Sequence, residues 1–232
     1  MKVAVTGASG HLGSVLVPAL RQAGHEVEPV GRVMPAGLRA DVLIHLAAPN
    51  WRDALSVLGL YAFTVDVARW SNVTGARVIN CGSWWQSAGM QAQSLEYTRL
   101  KDWQQRLFPT TLIPFSIYGE QAREGRGFIP QLQSHLAGLS SLAGASDEPR
   151  DWVHVSDVAA AFVVALSAPD GVYDVGTGRQ LSPRALALAC GLTHLPEYVE
   201  HPSCAPKYAH PRVPGWHPRV SVLRYLSGSV AA

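Results

Sequence analysis

Tyr97 and Lys101 stand four residues apart in EYTRLKDW, the spacing that puts two side chains on one helix face. A free phenol has a pKa of ~10, too high for proton exchange near neutrality, and a neighbouring ammonium lowers it. The pair is therefore a candidate general acid/base with its electrostatic partner. Chance gives a Y-x-x-x-K in a chain of this composition about one time in ten, so the surrounding sequence has to decide. Lysine stands only at positions 2, 101 and 207, which makes one at this spacing more notable.

A second candidate lies at the N-terminus. TGASGHLG (6–13) is a G-x-x-G-x-x-G turn, directly after an apolar strand and before a helical pattern. Gly7 permits the tight turn, Gly10 lets the backbone approach a pyrophosphate, and Gly13 lets the helix pack close to the strand. Ser9, His11 and Leu12 complete the set, because a helix starting here aims unpaired N–H groups and a positive dipole end at the phosphates. A dinucleotide binder places Asp or Glu at the tip of the second strand to read the ribose. Here that strand ends Val30-Gly31-Arg32, so a 2′-phosphate is expected, hence NADP in preference to NAD.

The elements that must position these groups follow from periodicity. Strands are expected at 2–6, 26–30, 41–47, 76–81, 111–118, 152–155 and 172–175. Helices are expected at 12–23, 53–71, 96–108, 128–139 and 157–167, with Asp157 as a helix cap. Pro18 should kink the first helix or end it early. Alternating strand and helix argues for an α/β fold, a doubly wound, Rossmann-like parallel sheet. Residues 1–118, with 150–175 returning to them, form the dinucleotide-binding core. Residues 119–149 and 176–232 form a small, abbreviated C-terminal substrate lobe, irregular beyond Leu192. Between Arg32 and Asp41 the chain is too short for a parallel crossover carrying its own helix, so a third strand beside the second is expected to be missing.

At 232 residues with a net charge of +2, the chain can bury a full core but offers no electrostatic case for nucleic acid or an anionic membrane. Cys81, Cys190 and Cys204 are widely spaced and read as free thiols of a reducing compartment. Together with the absence of a leader-like or spanning apolar run, this predicts a cytoplasmic protein. His194, His201, His210 and His217 have no tetrahedral-site spacing with Cys190 and Cys204, so no metal is expected. His154 is expected to be a hydrogen-bonded sheet residue.

The motifs together resemble the extended short-chain dehydrogenase/reductases, the nucleotide-sugar epimerases, dehydratases and 4-ketoreductases. TGASGHLG (6–13), DVLIHLAAP (41–49), NCGSWWQ (80–86), YTRLK (97–101), IPFSIYG (113–119), GFIP (127–130), RDWVHVSDVA (150–159) and GVYDVGTG (171–178) occur in that family's order. NCGSWWQ is similar to the version in CDP-sugar 4-ketoreductases of the abequose type. The resemblance implies Tyr97 as general acid/base, Lys101 beside it and on the nicotinamide ribose, and Ser83 on the substrate oxygen. It implies Leu46, Ala47 and Ala48 in the cofactor site, and Arg150 on a nucleotide diphosphate, making a nucleotide-linked sugar the expected small-molecule substrate. Trp84 and Trp85 are candidates to stack on a substrate ring, or one is core and one a surface anchor. Arg126, with Arg123, lines the anion site or solvates a loop.

Several family positions are altered. Ser56 stands where an asparagine is usual, Ile113 and Ser116 where arginine and asparagine are usual, and the span from Ser83 to Tyr97 is short. Trp84 and Trp85 replace the acidic pair of dehydratases, which argues for a reductase or epimerase. Two other readings remain open: a compact ketoreductase acting on a metabolite without a nucleotide handle, and a lapsed cofactor-binding or scaffold protein. Helices 53–71 and 96–108 supply a possible homodimer contact.

Overall fold

The computed structural model describes residues 1–49, 53–86, 95–120, 127–142, 144–195 and 207–230. Five parallel strands build most of the central sheet: β1 (Lys2–Thr6), β2 (Glu26–Val30), β3 (Val42–His45), β4 (Arg77–Cys81) and β5 (Thr110–Pro114). β8 (Gly171–Val175) completes it, in the order β2-β1-β3-β4-β5-β8. β3 and β5 are buried at every position, as strands covered on both faces require. Among the described residues no strand pairs with the outer side of β2, and the chain passes from Val30 to Asp41 without a further strand, as the short connection predicts. Pro29 sits on that edge, where a residue without an N–H is tolerated.

α1 (His11–Gln22) follows the glycine turn and packs on α5 (Val155–Ala165). Pro18 does not end it early; the residue is exposed, so the carbonyl freed one turn earlier lies toward solvent. α2 (Ala54–Thr74) is capped by the Asp53 side chain, which accepts from Leu55 N–H at 3.1 Å, and closes on the left-handed Gly75. α3 (Leu95–Leu107) packs against α2. Arg77, at the start of β4, donates to the carbonyls of Ala165, Leu166 and Ala168 and pairs with Asp170 at 2.9 Å. A cation thus satisfies the open C-terminus of α5.

The expected strand at 111–118 is two strands. β5 stops at Pro114, Phe115 donates its N–H to Val175, and β6 (Ser116–Tyr118) leaves for a second sheet. There it pairs in parallel with β7 (Arg150–His154), which meets β9 (Gln180–Leu181) antiparallel. A core of Tyr118, Ile129, Leu132, Trp152, Leu186 and Leu226 joins this sheet to α4 (Phe128–Leu136), α6 (Pro183–Ala189) and α7 (Val222–Val230).

Asp157 is not a cap. The cap of α5 is His154, whose Nδ1 accepts from Ser156 N–H at 3.3 Å. The buried Asp157 carboxylate instead accepts the backbone N–H groups of Arg219 and Val220 at 3.0 and 2.9 Å, while Trp216 Nε1 donates to its carbonyl at 2.8 Å. One side chain therefore fastens the segment leading into α7.

Candidate active site at the carboxyl edge of the sheet

Strand register places the candidate groups together. Thr6 of β1 is level with Val30 of β2 and His45 of β3, and His45 with Asn80 of β4. The segments that follow these residues carry the glycine turn, Arg32, Leu46 to Ala48, and Ser83. Ligands of open parallel sheets bind outside the carboxyl ends, where strand order reverses. Here the chain runs outward from β1 to β2 and then back past β1 to β3.

The glycines at that switch point meet geometric demands. A Cβ on Gly7, whose φ is +68°, would stand 2.9 Å from Ala47 N. On Gly13 it would stand 2.3 Å from the Gly7 carbonyl oxygen and 2.7 Å from Ala8. The turn can therefore lie against β3 and the first coil of α1 only without side chains there. Gly10 begins α1 with no side-chain cap, so the N–H groups of His11, Leu12 and Gly13 lack intrahelical acceptors beside an open backbone. That donor set fits a pyrophosphate. Ser9 is exposed, Leu12 and Leu46 are buried, and Ala47 and Ala48 rim the turn. His11 reaches away, its Nε2 lying 3.0 Å from the carbonyl oxygen of Glu120. Arg32 is exposed just past β2.

The second cluster hangs on β4 and α3. Lys101 is 2 % exposed; its Nζ donates to the Cys81 carbonyl at 2.8 Å and lies 5.8 Å from the centre of the Tyr97 ring. Burial pulls the ammonium below its usual range. Burial pushes Tyr97 up to about 12, the neighbouring Cys81 adds to the rise, and a hydrogen bond with Ser83 opposes both. The spacing led to the expectation that Lys101 holds the phenol down; the direction here is upward, with burial its first cause.

Trp84 is in the core, and Trp85 is half-buried with its ring edge-on to Tyr97 at 5.9 Å. Of the two, Trp85 borders the phenol. Arg150 opens β7, with its guanidinium 3.8 Å from Glu148 and 6.0 Å from the Trp152 ring centre. Its Nε is buried with no hydrogen-bond partner among the described residues. Arg123 and Arg126 lie outside the described residues.

Sequence reading missed a buried polar network joining both clusters. His45 Nδ1 lies 2.9 Å from Thr6 Oγ1 and its Nε2 3.3 Å from both Thr64 Oγ1 and Gln104 Nε2. Thr6 Oγ1 also accepts Ala47 N–H at 3.2 Å. Burial first, then Lys101, lowers His45 to about 3, so the imidazole is neutral. A polar residue inside the apolar run VLIHL was the available signal.

Residues 91–176 match the model of the NAD dependent epimerase/dehydratase family. No curated protein matches the chain by sequence. Among solved structures, the chain is similar to the Bordetella bronchiseptica enzyme WbmG in complex with NAD and UDP, at 19% identity and a TM-score of 0.76 over 99% of this chain and 92% of that one. It is also similar to the Thermotoga maritima UDP-glucose 4-epimerase with UDP-glucose, at 19% identity and 0.75 over 100% and 98%. RMD from Pseudomonas aeruginosa, complexed with NADPH, gives 19% and 0.76 over 99% and 96%. The likeness to the extended short-chain dehydrogenase/reductases is borne out by this match and this fold. Among the described residues, no helix is long and apolar enough to cross a membrane.

Proposed function

We propose that the chain is a nicotinamide-dependent oxidoreductase that reduces or epimerises a keto or hydroxyl carbon of a nucleotide-linked sugar. One observation carries the reading: the bare glycine turn and the Ser83–Tyr97–Lys101 cluster share the carboxyl edge of one parallel sheet. The matched family and the NAD, NADPH and UDP-sugar complexes of the structural neighbours support it.

The backbone N–H groups of His11, Leu12 and Gly13 would hold the pyrophosphate, with Lys101 on the ribose side. When bound, the nicotinamide supplies or accepts hydride. In the reducing direction Tyr97, protonated through the neutral range, gives its proton to the substrate oxygen as hydride reaches the carbon; in the oxidising half of an epimerisation the deprotonated phenol would take that proton back. Ser83 orients that oxygen and stabilises its developing charge. Lys101 fixes the floor of the site through Cys81. The buried, unpaired Arg150 Nε supports an anionic handle on the substrate, and the exposed Arg32 supports NADP over NAD. The exposed Leu55 and Leu58 on α2, one helical turn apart, support a homodimer through α2 and α3.

The test is turnover. Purified protein with NADPH is offered UDP-, CDP- and dTDP-linked 4-keto sugars while cofactor absorbance is followed, and UDP-hexoses with catalytic NAD are assayed for epimerisation. Activity with any of these, lost in Tyr97→Phe, supports the reading. Activity surviving that substitution removes the proton-transfer role, and tight NADPH binding without turnover of any nucleotide sugar favours the compact ketoreductase.

A further inference from the structure

The span 84–86 is a single 3-10 turn, and its last residue does more than end it. Gln86 Oε1 accepts the backbone N–H of Ser83 at 2.7 Å. Its Nε2 donates to Asp102 Oδ1 at 3.3 Å and to Gln105 Oε1 at 3.0 Å, both on α3. Those residues flank Lys101 by one position and by one turn. The same helix reaches the strand end from the other side, through Lys101 Nζ on the Cys81 carbonyl. Residues 81–83 are therefore gripped twice by α3, directly by Lys101 and indirectly through Gln86. Room for this amide comes from Gly82, where a Cβ would stand 2.7 Å from Gln86 Oε1.

We infer that Gln86 is a positioning residue that sets the Ser83 hydroxyl against Tyr97 and Lys101 by clamping the end of β4 to α3. An amide suits this place because it accepts on one side and donates on the other. Glutamate keeps the acceptor but sets a carboxylate against Asp102, and methionine keeps the length but loses both functions. The inference rests on the proposed role of Ser83 and Tyr97, and misplacement by about 1 Å costs up to ~10²-fold in rate.

The test compares wild type, Q86M, Q86E and the double variant Q86E/D102N, in which the amide introduced on α3 supplies the donor that the carboxylate introduced in the 3-10 turn lacks. Two readouts are taken on the full chain: hydrogen exchange of the Ser83 amide, and kcat and KM for NADPH with the acceptor found in the panel above. In Q86M the Ser83 amide should exchange at least ~10-fold faster, since an unpaired amide loses its protection. Its kcat should fall at least ~10-fold with KM for NADPH unchanged. Q86E should be impaired and Q86E/D102N should recover most of the loss. Unchanged exchange and kcat in Q86M overturn the inference, as does a double variant no better than Q86E. Should Q86M fail to fold, the Q86E comparison decides alone. If no acceptor is turned over by wild type, the proposed activity fails, while the exchange readout still decides whether Gln86 holds Ser83.

Discussion

Lys101 Nζ donates to the carbonyl oxygen of Cys81 across 2.8 Å and lies 5.8 Å from the centre of the Tyr97 ring. The site sets a buried ammonium beside a half-buried tyrosine whose pKa is pushed up to about 12. A phenol raised in this way does not ionise by itself near neutrality.

Tyr97→Phe should therefore lower kcat by roughly 10²–10⁴-fold, the usual worth of positioned proton transfer, while NADPH binding is retained. Alkaline difference titration of wild type against this variant should show no phenolate from Tyr97 between about pH 9 and 10.5, since burial raises its pKa to about 12. A phenolate appearing in that window would show that Lys101 wins over burial.

His45 gives a pH dependence with a definite sign. Its folded pKa is about 3, below the unfolded value of ~6.5. The unfolded chain therefore takes up a proton that the folded chain refuses. This contribution to stability is full above pH ~6.5 and is lost as pH falls toward 3, by about 2 kcal/mol between pH 7.5 and 5. Urea melts of wild type and His45→Gln at both pH values check this. The variant is expected to lose that part of the slope, and equal slopes would place the imidazole elsewhere than in a dry core.

Asp157→Ala should strip two backbone N–H groups, those of Arg219 and Val220, of their acceptor. Both bonds are part-buried, and a hydrogen bond to a charged group contributes about 1.5–3 kcal/mol. Denaturant unfolding should show a loss in that range, with amides of α7 exchanging faster than those of β1 and β3. A variant as stable as wild type would mean that the strap does not depend on Asp157.

Arg32→Ala should weaken NADPH about tenfold, or ~1.4 kcal/mol, with NADH unchanged. Competition of the two cofactors in one fluorescence titration reads the ratio. An unchanged ratio would mean that the exposed guanidinium reads no 2′-phosphate.

Much of this was legible in the sequence because the signals were local. The run VAVTGASGHLG carries strand, turn and helix start within eleven positions, and VLIH reads as a buried strand from its apolar continuity. The missing strand beyond β2 followed from chain length alone. What escaped depended on distant partners. Nothing in TTLIPFSIY marks Phe115 as the point where one strand leaves for another sheet, since both halves are apolar. Asp157 looks like a cap by position, but its partners lie about sixty residues on. The Tyr97 pKa could not be read from i, i+4 spacing, because burial depends on what packs above the helix. α6 was overlooked although Ser182 and Pro183 form a helix-start signal, and α7 because a short run with Gly and Ser follows a segment rich in Pro and His.

Dinucleotide binding at the glycine turn is the property on which every proposed step depends. The most direct measurement is titration of wild type and Gly13→Ala with NADPH and NADH, beside thermal unfolding of each protein. Wild type should bind, NADPH more tightly. The variant should lose affinity by at least ~10-fold, because its Cβ would stand 2.3 Å from the Gly7 carbonyl oxygen. A folded wild type that binds neither cofactor would contradict the account and favour a lapsed relative of the family.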